Sequence, residues 1–406
     1  MSTIQAPSTT TAGGMPHYVA LDSWRGICAC AVILYHLPST GTLTSLRFFE
    51  NAWLFVDLFF VLSGFVIAAS YGDRLANGYS VRRFMTLRLG RVYPLHFAIL
   101  MVFLAFELVK MALGHGENAA FTGNSPPGAL LTNLTLTQIF GFHDKVMWNS
   151  PAWSIAAEVW TYLIAAIGLV LLRGRFRWVL VATAIAMPLY LASVDGRGLD
   201  RTFDMALERC LYGFSLGMLA HSVHRTGRFL PTGRATTTLL EVTLGGAMLL
   251  LVGFAPEGRL DLLFPPLFAL VVYVYAGDAG AVSRVMAAKP FRLLGALSYS
   301  IYMMHILVIG RFMGISGLAG RALGITTTKM ADYRGGPSKV LAGEGLLPDV
   351  QVVLCVMAVV AAAWFSYRFI EIPCRDWSRR IAKRVGGERS SLQPATGRRA
   401  AGTVQG

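Results

Sequence analysis

The chemistry-bearing residues come first. His36 stands eleven positions after Arg25 in the stretch 18–38. At 100° per residue this is about 1100°, some 20° from whole turns, so the two share one helix face about 16 Å apart. Imidazole has a reference pKa near 6.5 and can take a proton at neutral pH. Asp57 and Glu158 are carboxylates inside apolar stretches, where an ionisable group is costly and functional by default. Asp57 facing the imidazole would fix its tautomer, as in hydrolase triads; the alternative is a structural partner for some other polar group. Arg88 and Arg91, at i and i+3, share a helix face, and guanidinium forks bind phosphate bidentately. The same spacing also serves to hold a loop at lipid headgroups. Tyr299, Tyr302 and His305, with Ser298 and Ser300, form either a substrate contact or a packed polar seam. The Arg368/Glu371 pair reads as a helix anchor at the surface. No H-E-x-x-H and no His/Cys/Asp cluster with ligand spacing is present, so no metal is expected.

These residues need elements to carry them, and the composition says which. Of 406 residues, 54% are apolar and 14% charged, with a mean hydropathy of +0.54. Soluble domains carry roughly 25% charged residues. A soluble globular enzyme, a disordered chain, a coiled coil and a disulfide scaffold are excluded. The five cysteines form no C-x-x-C and say little about redox compartment. Apolar stretches of membrane-spanning length lie near 18–38, 53–72, 94–113, 153–172, 177–195, 205–221, 237–255, 260–277, 293–314 and 350–370. The sixth is interrupted by Glu208 and Arg209. The shorter stretch 128–142 reads as re-entrant or interfacial, and 315–349 as a long loop.

The reading is an all-α polytopic membrane protein of about ten helices. Alternate loops are basic: Arg74, Arg82, Arg83, Arg88 and Arg91; then Arg173, Arg175 and Arg177; then Arg225, Arg228 and Arg234; then Arg284, Lys289 and Arg292; and eight Lys/Arg after 371. The positive-inside rule places both termini in the cytoplasm. The net charge of +14 is thereby orientation and lipid contact, not a nucleic-acid site. Residues 1–17 read as a flexible N-terminus without a cleaved signal, 18–380 as the transmembrane domain, and 381–406 as a basic disordered tail.

Taken in order, the motifs resemble acyltransferase family 3, the integral-membrane acyltransferases. They are Leu21-Asp22-x-x-Arg25-Gly26 followed by His36; Asp57-Leu58-Phe59-Phe60-Val61-Leu62-Ser63-Gly64-Phe65; Arg88-x-x-Arg91-x-Tyr93-Pro94; Trp153-Ser154-x-x-x-Glu158; Ser298-Tyr299-x-x-Tyr302-x-x-His305; and Glu371-x-Pro373. Two positions depart from the family: Ser23 replaces its usual Gly, and Ala156 a small polar residue.

The resemblance implies acyl transfer, usually of acetyl, from cytoplasmic acyl-CoA to a hydroxyl of a carbohydrate or lipid-linked acceptor, with no permanently bound cofactor. His36, Asp57 and Glu158 would then serve catalysis, and Arg25, Arg88 and Arg91 the CoA phosphates. Tyr299, Tyr302 and His305 would contact substrate. The expected setting is a bacterial inner membrane, among lipids, with homo-oligomerisation open. No second domain follows the tenth stretch, so any partner domain is expected to be a separate protein. The competing class is a transporter or exporter using the buried charges as a path. It calls for paired broken helices in two related halves; Pro265-Pro266 offers one such break, without a matching one in an earlier half.

Overall fold

The computed structural model describes residues 17–114, 119–227, 233–255, 258–334 and 336–385. The N-terminal reading over 1–16 and the tail reading over 386–406 lie outside the described residues. The order is α1 (Val19–His36), α2 (Arg47–Glu50), α3 (Phe55–Ile67), α4 (Asp73–Ala76), α5 (Val81–Leu113), α6 (Pro127–Leu134), α7 (Ala152–Leu172), α8 (Phe176–Val194), α9 (Ala206–His224) and α10 (Arg234–Gly253). Then come α11 (Phe264–Tyr275), α12 (Ala281–Met286), α13 (Lys289–Leu323), the hairpin β1 (Thr328–Asp332) and β2 (Pro337–Leu341), α14 (Leu347–Ser366) and α15 (Ile372–Val385).

Each of the ten apolar stretches falls on a helix. Among the described residues, six segments are long and apolar enough to cross a membrane: Ala52–Ala76, Val81–Leu113, Ala152–Val194, Arg234–Gly253, Lys289–Leu323 and Leu347–Val385. Large apolar side chains such as Leu171, Leu189 and Leu250 point outward, as lipid-facing positions require. The segment Ala152–Val194 is broken at Arg173, whose φ of +49° ends α7, and the Phe176 ring lies against Gly168.

Glycines set the tightest helix crossings. A Cβ on Gly64 of α3 would lie 2.0 Å from the Phe214 carbonyl oxygen of α9, and one on Gly217 of α9 would lie 1.9 Å from that of Val61. A Cβ on Gly26 of α1 would meet the Leu294 backbone at 2.4 Å, and one on Gly295 of α13 the Asp22 carbonyl at 2.5 Å. Small residues let these backbones touch, which brings α1 onto α13 and α3 onto α9. These two pairs carry most of the predicted site.

Four readings are corrected. The stretch 315–349 is not a loop: α13 runs on to Leu323, and an antiparallel hairpin follows. Among the described residues the chain is therefore helical with one small sheet, whose β2 is tied to the segment after α1 by Leu341 N–H to Pro38 O and Thr40 N–H to Leu341 O, both 2.9 Å. Residues 381–385 belong to α15, an amphipathic helix against α5. Pro265 and Pro266 do not break a span; they occupy the first turn of α11, where proline's missing N–H is no loss. Arg88 and Arg91 lie within α5, which begins at Val81, where the Ser80 hydroxyl accepts from Arg83 N–H at 3.3 Å.

Candidate active site

A basic cavity of about 730 Å³ opens at the Arg25 end of α1. Among the described residues Arg25, Arg88, Arg91, Lys289, Arg292 and Arg375 line it, against two carboxylates, Asp22 and Glu371. Two π-helical turns border it: Ala68–Gly72, between α3 and α4, presents Ser70 and Tyr71, and Tyr367–Glu371, between α14 and α15, presents Tyr367 and Glu371. Such turns are frequent at functional sites because the extra residue re-aims side chains. Arg25 sits 3.5 Å from Asp22. Arg88 donates to the Tyr162 hydroxyl at 2.9 Å and lies over its ring. Arg91 makes no direct hydrogen bond or ion pair among the described residues and faces the cavity. Glu371 is not a surface anchor: it is buried, and Ser300 donates to it at 3.1 Å, while Arg368 is exposed.

Two smaller pockets continue from this cavity into the bundle. One, of about 30 Å³, is lined by Arg25, Ser63, Arg88, Arg91, Glu158 and Tyr299 among others. The next, of about 50 Å³, touches Arg25, Ser63, Ser154, Glu158, Tyr299 and Tyr302. Arg25 borders all three. Glu158 Oε1 accepts from both Ser63 Oγ and the Tyr162 hydroxyl, so a polar chain runs from Arg88 through Tyr162 to Glu158 and Ser63. Tyr299 donates to the Val92 carbonyl. Ser154 Oγ donates to the Tyr302 hydroxyl at 2.9 Å.

Beyond Tyr302 stand the two histidines. His305 Nδ1 faces the Tyr302 carbonyl at 2.5 Å, so that nitrogen carries a proton. Its Nε2 is 3.2 Å from His36 Nδ1, which also faces the Val32 carbonyl at 3.1 Å. With both rings neutral, His305 Nε2 offers a lone pair and His36 Nδ1 carries the hydrogen. The tautomer that follows leaves the lone pair of His36 on Nε2. The hairpin covers this end: Tyr333 donates to the Tyr35 carbonyl at 3.2 Å and the Arg334 guanidinium lies 3.5 Å over the Tyr35 ring. Tyr35 in turn packs edge-on against His36.

Asp57 is not the partner of His36. It is fully buried and bound at both oxygens by Arg209, Oδ1 to Nε at 2.9 Å and Oδ2 to Nη2 at 2.6 Å. Trp53 and Trp153 flank that guanidinium at 5.2 and 5.0 Å. Beside it, buried Arg201 is held by Asp195 and Asp204, and the side-chain hydrogen bond from Arg197 holds the Asp195 carboxyl below the usual carboxylate range. The sequence reading missed Arg209, Tyr162 and Ser63 as members of these networks. Arg209 had a visible signal, since it interrupts an apolar stretch. Tyr162 had only its place one turn after Glu158.

Residues 18–368 match the family model Acyl_transf_3, described as an acyltransferase domain. The chain belongs to this family. The chain is 25% identical over 403 residues to the peptidoglycan O-acetyltransferase OatA of Listeria monocytogenes, covering 90% of this chain and 57% of that protein. It is 24% identical over 273 residues to the acyltransferase MdmB of Streptomyces mycarofaciens, covering 63% of this chain and 67% of that protein. Protein 2 in the picA locus of Rhizobium radiobacter is 33% identical over 159 residues, covering 35% of this chain and 77% of that protein. The chain thus spans little more than half of the Listeria relative's length. No solved structure matches.

Proposed function

We propose that this protein is a membrane O-acetyltransferase that takes an acetyl group from cytoplasmic acetyl-CoA and passes it to a hydroxyl of a carbohydrate or lipid-linked acceptor. The observation that carries the reading is the basic cavity that narrows, through two pockets sharing Arg25, to Tyr302, whose carbonyl His305 Nδ1 faces. In this reading ten helices cross a bacterial inner membrane, the termini and the cavity face the cytoplasm, and His36 lies toward the other side. Arg88 and Arg91 bind CoA phosphates, and the pantetheine arm follows the pockets. His36 Nε2 takes the acceptor's hydroxyl proton as its oxygen attacks the thioester carbonyl. The C–S bond then breaks, and the imidazolium returns the proton to the CoA thiolate. Alternatively, His36 Nε2 attacks the thioester carbonyl first, the C–S bond breaks as CoA departs as its thiolate, and the acceptor hydroxyl then takes the acetyl group from the acetyl-imidazolium while its proton passes through His36 to the thiolate. Relatives named as O-acetyltransferases support this reaction class, and the Listeria relative's name favours a glycan acceptor.

The donor assignment is tested by CoA binding to purified protein. The double variant Arg88→Ala/Arg91→Ala should bind CoA about 10²-fold more weakly or worse, since each charge-assisted hydrogen bond is worth roughly 1.5–3 kcal/mol and about 1.4 kcal/mol is tenfold. Lysine at both positions should restore only part, because an ammonium cannot fork. Unchanged CoA affinity in the alanine variant refutes the assignment. A second expectation concerns His305. His305→Phe keeps a flat ring but removes one of the two acceptors facing His36 Nδ1–H, leaving the Val32 carbonyl. Turnover should fall by roughly 10²-fold, less than the roughly 10⁴-fold of losing a triad's tautomer-fixing partner because the Val32 carbonyl still holds Nδ1, with CoA affinity unmoved. His305→Gln, which offers an amide oxygen, should recover part of the loss. Equal turnover in the Phe and Gln variants would show that ring bulk alone matters.

A further inference from the structure

Asn133, Gln138 and Asn149 are buried, with 1%, 7% and 1% of their surfaces exposed. In each, the side-chain amide nitrogen donates to a backbone carbonyl: Asn133 to Ala129 at 2.9 Å, Gln138 to Ala152 at 3.4 Å and Asn149 to Met303 at 3.2 Å. Those bonds fix which end of each amide is oxygen, because a flipped group would set oxygen against oxygen. Among the described residues all three amide oxygens lack a hydrogen-bond partner, and all three residues line one pocket with Lys145, Ser150 and Trp153. An unsatisfied buried acceptor costs roughly 1–3 kcal/mol, so three around one pocket call for a donor to enter it. The positive charge of Lys145 disfavours a cation, which leaves neutral O–H or amide N–H groups. The pocket holds about 10 Å³, about room for one water-sized group. It therefore receives one donor of a larger ligand, beside Trp153. The pocket is tied to the turn of α13 that carries His305: Asn149 holds the carbonyl of Met303, two residues before His305, and Trp153 precedes the Ser154 that bonds Tyr302.

We propose that this pocket is an acceptor-docking subsite that takes a hydroxyl or amide N–H of a neutral sugar unit while a neighbouring hydroxyl reaches His36. The proposal rests on the carbohydrate-acceptor reading above. It is tested with the full-length protein in nanodiscs, labelled acetyl-CoA and a β-1,4-linked tetramer of N-acetylglucosamine. Two variants probe the pocket. Gln138→Met removes the acceptor while keeping similar length. Thr202→Gln adds bulk at the pocket lining from a partly exposed position, without removing any hydrogen bond described for Thr202, and decides the matter if Gln138→Met fails to fold. Both should raise the KM for the tetramer about tenfold or more, with CoA affinity unchanged. The permethylated tetramer, which has no donors, should not compete. If Thr202→Gln keeps the wild-type KM, or the permethylated tetramer competes as well as the free one, the pocket holds an ordered water only and the subsite is wrong while the carbohydrate reading stands. If the wild type neither binds nor acetylates the tetramer and the label goes to a non-carbohydrate acceptor, both readings fail together.

Discussion

Replacing His36 with glutamine should lower acetyl transfer by roughly 10²–10⁴-fold, the usual contribution of a general base, in protein that still folds and still binds CoA. The substitution is chosen for what it keeps. On the Nδ1 side His36 faces the Val32 carbonyl and His305 Nε2, and a glutamine amide N–H can donate to either. Bulk at the end of α1, under Tyr35 and the hairpin, is largely retained. What is lost is the second nitrogen's lone pair, since no amide takes up a proton at neutral pH. The acyl-carrying route depends on the same atom, so both routes fail in this variant. The measurement is acetyl transfer by purified variants at matched expression, beside CoA binding on the same samples. Near wild-type transfer by His36→Gln would make His36 a packing residue and move the search for the base to Glu158 or His305.

The placement of the helices was largely legible in the sequence, and the pairing of the buried charges was not. Hydrophobic length marked every helix that carries a predicted site residue, because burying backbone polar groups in lipid leaves little choice but helix. The shared face of Arg25 and His36 follows from helical periodicity within one element, and the structure sets Arg25 on the basic cavity and His36 against α13. Periodicity is silent about which helices meet. The glycine-lined contact of α3 with α9 gives Asp57 to Arg209, and the Gly26–Gly295 crossing gives His36 to His305. Glu371 was misplaced because a regular helix was assumed through 367–371, where a π turn rotates it inward. The hairpin had a signal that went unused. Thr326, Thr327 and Thr328 are β-branched and Gly336-Pro337 is a turn pair, but they lay within a stretch read by hydropathy alone.

The pairing of Asp57 makes the consequence of Asp57→Asn a matter of folding before chemistry. Asparagine can still hydrogen-bond Arg209, but the guanidinium would then be buried between Trp53 and Trp153 without its paired carboxylate. Removing one member of a buried pair costs about 3–5 kcal/mol, whereas replacing both with apolar residues of similar volume is often neutral. Asp57→Asn should therefore lower the thermal unfolding midpoint and the yield of monodisperse protein, and Arg209→Met should do the same by stranding the carboxylate. The double variant Asp57→Leu/Arg209→Met should be more stable than either single one. The lost hydrogen bond from Arg209 to the Arg201 carbonyl limits that recovery, because the carbonyl is left in a buried loop. Unfolding midpoints of the three variants decide the matter, read beside the specific activity of whatever protein remains folded. An Asp57→Asn protein as heat-stable as the wild type but inactive would restore Asp57 to the chemistry. In that case the carboxylate would have to leave Arg209 during turnover, which its two bonds, at 2.9 and 2.6 Å, oppose.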